Sequence, residues 1–340
     1  MTPSADPTTI IGDTLQITYL PAKSAALLAN DPGVIALIHF VNSTSSSQAG
    51  GAEITIGLPQ LNRQKQVEVW RTKRPISWHQ KGDITFCTTG DMLFGYMLLE
   101  EGTSSSLEAL SEQAYHSLLD LIAQQGHPHL IRIWNYFPNI NQEQDQQERY
   151  KSFCIGRHRA CAKSEGFEKQ LPAATAIGSH SPGFLIYFIA SKKPGLRIEN
   201  PRQISAFQYP AIYSPKSPSF SRAVLKEWND QRDLYISGTA SIVGHKTHHL
   251  DDQISQLQES ACNIKQLLKE AQRLTDTSAK GLQRLALLKI YLRQSEDLAQ
   301  IDKQVNTLFE PETPRIYLQA DICRQDLLVE IDGYSTVVSN

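Results

Sequence analysis

The sequence predicts an α+β fold, with mixed β-sheets and helices packed on one face of them. The main observation is that both halves of the 340-residue chain show the same order of segments. Short strand-like segments come first, a stretch with helical spacing follows, and a further strand closes each half. A second observation is the composition, since 40% hydrophobic and 20% charged residues are typical of a globular chain with a large core. A single core stops growing near roughly 250 residues, so we expect two units.

The N-terminal unit opens with six strand-like segments that are short, apolar and separated by Gly, Pro and Ser. The serines at 104–106 provide a helix cap, and helical spacing then continues until Gly126. A strand at 130–137 follows, and the polar segment 141–147 ends the predicted unit, which therefore covers residues 1–147. The six opening strands are predicted at 14–19, 34–40, 53–57, 66–71, 84–88 and 92–98.

The C-terminal unit, residues 148–340, repeats this order. Its central feature is a long helical segment over 249–308, with helices predicted at 249–271 and 280–308. The two halves match in the order of their elements and not in their residues. The repeat predicts a duplicated α+β unit, and the alternative is a chance parallel. The strands of this unit are predicted at 176–177, 183–190, 204–207, 234–240, 315–323 and 327–331.

Composition and charge argue against several classes of partner. The formal net charge is −2 and the basic residues are spread along the chain, so neither nucleic acid nor an anionic membrane is indicated. The most apolar stretches are too short to span a bilayer, and the N-terminus does not resemble a signal peptide. We therefore expect a cytoplasmic protein.

The cysteines and histidines do not predict a metal site. Five cysteines at irregular spacing, without a Cys-x-x-Cys pair, indicate neither a disulfide framework nor a zinc ribbon. Segment 244–249 contains three histidines but no HExxH pattern, and we interpret it as helix capping and surface chemistry. We expect neither a metal nor an organic cofactor.

A group of arginines and tyrosines predicts a pocket for a small anion. These residues lie between 148 and 222, beside Gly and Pro, in segments that we interpret as strands and turns. A guanidinium on constrained backbone can be aimed at a carboxylate. The alternative is that each arginine pairs with a nearby acid on the surface. The candidates are Arg157, Arg202, Arg222, Tyr209 and Tyr213.

The run of small residues at 237–241 is a second candidate for ligand contact. Gly238 and Ala240 would let a ligand approach the backbone closely, whereas the competing interpretation is a tight turn without a ligand. The segment lacks the Gly-Lys-Ser/Thr ending of a phosphate loop.

Glu330 is the strongest candidate for acid or base chemistry. It lies in the apolar strand 327–331, where a buried carboxyl group would have a raised pKa suited to proton transfer. The alternative is that Glu330 points to solvent from an edge strand. Cys323, seven residues earlier, is a candidate to share the pocket, although an isolated cysteine is usually a small packing residue.

Over about 134–333, the sequence resembles the chorismatase family, whose members are related in fold to the trimeric RidA proteins and to bacterial chorismate mutase trimers. The resemblance implies two RidA-like units, chorismate as the substrate, and Glu330 as the catalytic acid/base. It implies carboxylate contacts at Arg157, Tyr209, Tyr213 and Arg222, with Arg202 as an addition. The motifs that carry it lie at 135–141, 149–150, 156–157, 200–203, 213–215, 220–223, 237–241 and 329–331.

The resemblance also concerns the product. Cys323 resembles the branch of the family that forms 3-hydroxybenzoate, whereas Ala240 resembles the branch that hydrolyses chorismate to a diol. Together with the segment 249–308, this combination is most similar to a third branch, which makes 3- and 4-hydroxybenzoate for pigment and ubiquinone precursors.

The sequence therefore predicts a lyase-type enzyme that cleaves chorismate to pyruvate and 3-hydroxybenzoate, 4-hydroxybenzoate, or both. The alternatives are a chorismate hydrolase that gives the dihydroxycyclohexadiene carboxylate, a non-catalytic RidA-like metabolite-binding protein, and an enamine deaminase. A homotrimer or a pseudo-trimeric monomer is expected from the related folds.

Overall fold

A computed structural model describes residues 15–28, 30–42, 48–102, 106–163, 166–229, 231–275, 284–296 and 298–338. Over these residues the chain forms three large sheets with helices packed against two of them, which confirms the predicted α+β class. None of the described helices is long and apolar enough to cross a membrane.

The first sheet has five strands in the order β1-β5-β2-β4-β3. The predicted bounds of β2 and β5 are confirmed at both ends. β2 pairs with β4 in parallel, and the other neighbours are antiparallel. A short helix, α1 (Ala25–Leu28), follows β1. The strands are β1 (Gln16–Pro21), β2 (Val34–Phe40), β3 (Gln48–Gly50), β4 (Glu53–Ile56) and β5 (Gln66–Arg71).

The second sheet has seven strands and carries two helices on one face. Helix α2 (Leu107–Gln124) begins at its N-cap Ser106, whose side chain accepts a hydrogen bond from the Ala109 amide, as the sequence predicted. Residues 104 and 105 of the predicted cap lie outside the described residues. Helix α3 (Arg149–Cys161) packs against α2. The strands are β6 (Trp78–Lys81), β7 (Ile84–Thr89), β8 (Met92–Leu99), β9 (His129–Pro138), β12 (Ala173–Ser179), β13 (Phe184–Ser191) and β21 (Asp321–Ile322), in the order β21-β12-β9-β13-β8-β7-β6.

The third sheet has six strands and is covered by α4 (Gln253–Leu274) and α5 (Leu298–Leu308). Two small hairpins, β10 (Glu143–Gln144) with β11 (Gln147–Glu148) and β17 (Ile242–Val243) with β18 (Lys246–Thr247), lie beside the larger sheets. The strands of the third sheet are β14 (Leu196–Ile198), β15 (Ala223–Glu227), β16 (Gln231–Ala240), β19 (Leu287–Leu292), β20 (Arg315–Gln319) and β22 (Val329–Val338), in the order β14-β15-β16-β22-β19-β20.

Three local predictions were wrong, and one helix was missed. The predicted strand 315–323 is two strands, β20 and β21, which belong to different sheets. The long helical segment 249–308 is interrupted by β19, a strand buried along its whole length, whose mostly apolar sequence resembles a buried helix. Residues 276–283 and 297 of that segment lie outside the described residues. The predicted strand 204–207 is a loop with a 3-10 turn at Ala206–Gln208. Helix α3 was missed, because its inward side carries arginine as well as apolar residues.

The boundary predicted at residue 147 stays a prediction. The seven-stranded sheet includes β8 and β9 from before this position and β12 and β13 from after it. A core of aromatic residues joins the sheets, and in it Trp134 stacks on Tyr187 with ring centroids 4.7 Å apart.

Candidate active site

A cleft of about 670 Å³ opens where the third sheet meets helix α3 and strand β21. Its floor comes from β16 and β22, and its walls come from the loop at 209–222 and from the residues that follow β21. The sequence candidates that line it are Tyr209, Tyr213, Arg222, Gly238, Ala240, Cys323 and Glu330.

Glu330 lies at the floor of this cleft. It is the second residue of β22, paired with Ala240 on one side and Tyr291 on the other, so it is in the middle of the sheet and not on an edge strand. Its residue surface is 4% exposed. Burial, helped by the negative charge of Asp332, raises the pKa of Glu330 to about 8. The carboxyl group is therefore protonated near neutral pH and can donate a proton.

The small residues opposite Glu330 make room for its carboxyl group. The pairing of β16 with β22 shifts register between Ile236 and Thr239, so β16 bulges there. A Cβ atom on Gly238 would lie 1.9 Å from Glu330 Oε1. Gly238 therefore provides the space for the Glu330 carboxyl group, which goes beyond the close approach of a ligand that the sequence predicted.

Arg157 lies in a deep extension of the cleft, together with Thr175, Gly238, Cys323 and Glu330. It projects from α3, is only 2% exposed, and its guanidinium carbon lies 4.8 Å from the centroid of the Phe153 ring. Among the described residues no carboxylate pairs with it, and its buried Nε has no hydrogen-bond partner. A buried cation without a counter-ion is costly, so this one is suited to an anionic ligand.

Arg222 is a second buried arginine of the cleft, and like Arg157 it has a buried Nε without a described hydrogen-bond partner. Its Nη2 donates to the Tyr209 hydroxyl at 2.6 Å and to the Ile204 carbonyl at 3.0 Å, whereas its buried Nε has no partner within the described part of the chain. No carboxylate in that part forms an ion pair with Arg222 either. Tyr213 also lines the cleft, and its hydroxyl is 3.1 Å from His245 Nδ1.

Arg324 is a cleft residue that the sequence analysis missed. Its guanidinium carbon lies 3.9 Å from the centroid of the Tyr213 ring, and Nη1 donates to the His245 carbonyl at 3.0 Å. Where the structure describes the chain, no acidic side chain pairs with it. No sequence signal marks this arginine, because it follows a two-residue strand and belongs to no motif that we identified.

Arg202 is not among the cleft residues. Its Nη2 forms an ion pair with Glu259 at 2.6 Å, and its Nη1 donates to Asn263 Oδ1 at 2.6 Å. Both partners lie on α4, so Arg202 fastens the 200–203 turn to that helix. Arg202 therefore pairs with a nearby acid, which is the alternative that we gave for each arginine. His249 also lies near Glu259, with its Nε2 3.3 Å from the carboxylate.

Cys323 lines the cleft beside Glu330. Burial raises the pKa of the Cys323 thiol well above the usual range, and the ionised form of Glu330 would raise it further. The thiol is therefore neutral and is poorly suited to act as a nucleophile.

The cleft combines a protonated carboxyl group with three guanidinium groups and a wall of aromatic rings. Such a site can bind a small dicarboxylate with an apolar body, and it can deliver a proton to that ligand away from bulk water.

Comparison with known proteins gives consistent relatives. The family model described as "Chorismatase FkbO/Hyg5-like, N-terminal" matches residues 68–190. The chain is 32% identical to a 3-hydroxybenzoate synthase of Streptomyces hygroscopicus, with 84% of this chain and 85% of that protein covered. It is 34% identical to a chorismatase of Streptomyces rapamycinicus, with 91% and 94% covered. A crystal structure of a chorismatase has a TM-score of 0.86 at 29% identity and covers 96% of this chain and 100% of its own.

Proposed function

Because the chain belongs to the chorismatase family, we propose that it cleaves chorismate to pyruvate and a hydroxybenzoate. The product is 3-hydroxybenzoate, 4-hydroxybenzoate, or both. One of the relatives is named for 3-hydroxybenzoate synthesis, which favours that product.

One observation carries the proposal. A buried, protonated carboxyl group at Glu330 shares a cleft with Arg157 and Arg222, two buried guanidinium groups that no described carboxylate neutralises. Chorismate is a dianion with a flat apolar ring, so its two carboxylates would supply the missing negative charges. Tyr209 holds Arg222 in place through its hydroxyl group, and Arg324 adds a third positive charge at the mouth.

The first chemical step is protonation of the enol ether. Glu330 donates its proton to the methylene carbon of the enolpyruvyl group, and the double-bond electrons form the new C–H bond. The ether carbon becomes an oxocarbenium ion, and the bond from the ether oxygen to the ring then breaks. That electron pair goes to the oxygen, so pyruvate leaves as the ketone.

The ring then becomes aromatic without water or redox chemistry. In the route to 3-hydroxybenzoate, the neighbouring ring hydroxyl oxygen attacks the carbon that pyruvate leaves and gives its proton to the Glu330 carboxylate. The resulting epoxide opens by breaking the bond between the oxygen and the carbon that first carried it, so the oxygen stays on the carbon that pyruvate left. That carbon then loses its proton, and the oxygen gains one. In the route to 4-hydroxybenzoate, the hydroxyl stays in place, and the proton on its carbon is the one lost. In both routes the proton that Glu330 donates is returned.

Cys323 and Ala240 are proposed to control which product forms. Both line the cleft beside Glu330, and the neutral Cys323 thiol excludes water from the reacting carbon. A water molecule at that position would instead give the diol.

The test is a product assay on the wild-type protein. Chorismate is incubated with enzyme in the presence of EDTA, pyruvate is measured, and the ring products are separated by liquid chromatography. We expect pyruvate and hydroxybenzoate in equal amounts. Binding of chorismate without release of pyruvate would overturn the proposal in favour of a metabolite-binding protein. Ammonia released from an enamine substrate, with chorismate left intact, would favour a deaminase.

A further inference from the structure

A buried hydrogen-bond network lies behind Glu330, and the mechanism above does not use it. Its centre is Asp332, which is two residues along β22 and therefore on the same face as Glu330. Asp332 is 3% exposed and lies where β22 faces the bulge of β16. Asp332 is not among the residues that line the cleft, so we expect it to act on a ligand only through its neighbours.

Four donors hold the Asp332 carboxylate, and all reach the same oxygen, Oδ2. Arg132 Nη2 lies at 3.3 Å and Trp134 Nε1 at 3.2 Å. The hydroxyl groups of Tyr291 and Thr175 lie at 3.1 and 3.3 Å. These four contacts hold the Asp332 side chain in one position, from which its charge raises the pKa of Glu330.

The same network fixes the position of Glu330. Thr175 Oγ1 accepts hydrogen bonds from Arg132 at 2.6 Å and from the Gly238 amide at 3.0 Å. Gly238 in turn is the residue against which the Glu330 carboxyl group packs. Asp332 is therefore joined through Thr175 to the bulge that holds Glu330.

The network continues away from the cleft to a buried ion pair. Tyr291 meets the Tyr136 hydroxyl at 3.0 Å, Tyr136 meets Tyr187 at 3.3 Å, and Lys289 donates to Tyr187 at 3.1 Å. Lys289 pairs with Glu68 at 2.7 Å. The positive charge of Lys289 therefore has its own ion-pair partner, Glu68, at this end of the network.

The charges around Glu330 come from several elements. Arg132 on β9 and Arg222 before β15 are positive, Arg157 on α3 is a third cation in the deep part of the cleft, and Asp332 is the negative group. The Cys323 thiol after β21 is neutral. Without Asp332, Glu330 would face several guanidinium groups with no compensating charge, and these would favour its ionised form.

We infer that Asp332 is a positioning residue of the reaction, which holds the proton on Glu330 through its fixed negative charge and through Thr175. This inference rests on the proposed function, in which Glu330 must be protonated to act.

The test compares Asp332→Asn with the matched variant Asp233→Asn. Asp233 is also a fully buried aspartate with several donors, but it lies seven residues from Ala240 on β16, roughly 20 Å from Glu330. The first measurement is kcat/KM against pH. We expect the decline at high pH to move about one to two units lower in Asp332→Asn and to stay in place in Asp233→Asn. The defect of Asp332→Asn should fall in kcat more than in KM, and it should disappear at acidic pH, where Glu330 is protonated again.

The second measurement does not depend on turnover. Infrared spectroscopy follows the carbonyl band of protonated Glu330, which is identified by its loss in Glu330→Gln. The pH midpoint at which this band disappears should fall in Asp332→Asn, because that variant removes a negative charge near Glu330. The same midpoint should rise in Arg132→Gln, because that variant removes a cation that faces Glu330. General structural damage would move both midpoints in the same direction. A second variant also keeps the test usable if one protein does not fold.

The outcomes separate the two claims. Equal midpoints in wild type and Asp332→Asn, in a protein that releases pyruvate, would overturn the role of Asp332 and leave the proposed function standing. Shifted midpoints in a protein that leaves chorismate intact would overturn the proposed function and leave the control of the Glu330 proton standing.

Discussion

Replacing Gly238 with alanine should displace the Glu330 carboxyl group while adding a single methyl group. The new Cβ would lie 1.9 Å from Glu330 Oε1 and 2.7 Å from Glu330 Cδ, whereas ordinary contacts begin near 3.4 Å. The carboxyl oxygen must therefore move by about 1.5 Å. A displacement of this size in a reacting group costs about 100-fold in rate, or about 2.7 kcal/mol. We expect the loss in kcat, because the arginines that we propose to bind the substrate are not moved.

The matched control is Gly333→Ala on the same strand as Glu330. A Cβ at Gly333 would meet its nearest neighbours at 3.5 Å, so the methyl group fits without displacement. Initial rates of pyruvate release and the melting temperature should be measured for both variants. Gly238→Ala should fold with a loss of about 1 to 3 kcal/mol, as expected for overpacking, and Gly333→Ala should behave as wild type. Wild-type kcat in Gly238→Ala would refute the position assigned to the Glu330 carboxyl group.

Three further predictions concern charge and product. Arg157→Met should raise KM about 100-fold and leave the melting temperature unchanged or higher, because it removes a buried cation without a described carboxylate partner. The control is Arg149→Met on the same helix, since Arg149 pairs with a carboxylate at 2.7 Å. This variant should lose about 2 to 3 kcal/mol of stability at unchanged KM. The pKa of Glu330 is raised from 4.5 to about 8, so its neutral form stabilises the folded protein below pH 4.5, and this contribution is lost as the pH rises to about 8. Chemical denaturation should therefore show the free energy of unfolding of Glu330→Gln increasing relative to that of wild type over this interval, by at most about 5 kcal/mol. Parallel stability curves would contradict the raised pKa. Cys323→Val should change the ratio of hydroxybenzoate to diol in a chromatographic assay. The control Cys262→Val, at an exposed position on α4, should leave this ratio unchanged. An unchanged ratio in Cys323→Val would show that the thiol does not control the product.

Local patterns predicted most of the strands, because their signals lie within a few residues. β2 and β5 alternate or cluster apolar residues between clear turn signals, so their bounds could be read from the sequence. The bounds of β19 could not be read from the sequence, since a strand covered on both faces is mostly apolar without alternation and resembles a buried helix. Helix α3 was missed for a related reason. It buries arginines as well as apolar residues, which removes the amphipathic pattern that identifies a surface helix.

The candidate site was predictable where a residue type conflicts with its surroundings. Glu330 in an apolar strand is such a conflict, and its placement in a shielded cleft agrees with the sequence prediction. The sequence could not reveal that Arg202 has a partner on α4, or that Arg324 has none among the described residues, because both facts depend on contacts between distant segments. Asp332 was overlooked for the same reason, since its four donors come from three other strands.

The most direct test of the account is the release of pyruvate from chorismate by wild type and Glu330→Gln, measured side by side with chorismate binding. Glutamine has nearly the shape of the protonated glutamate but no acidic proton to donate. We predict that the variant binds chorismate with wild-type affinity and releases no pyruvate. Pyruvate release by Glu330→Gln at a rate near that of wild type would contradict the central claim, because the proton that frees pyruvate would then come from another group.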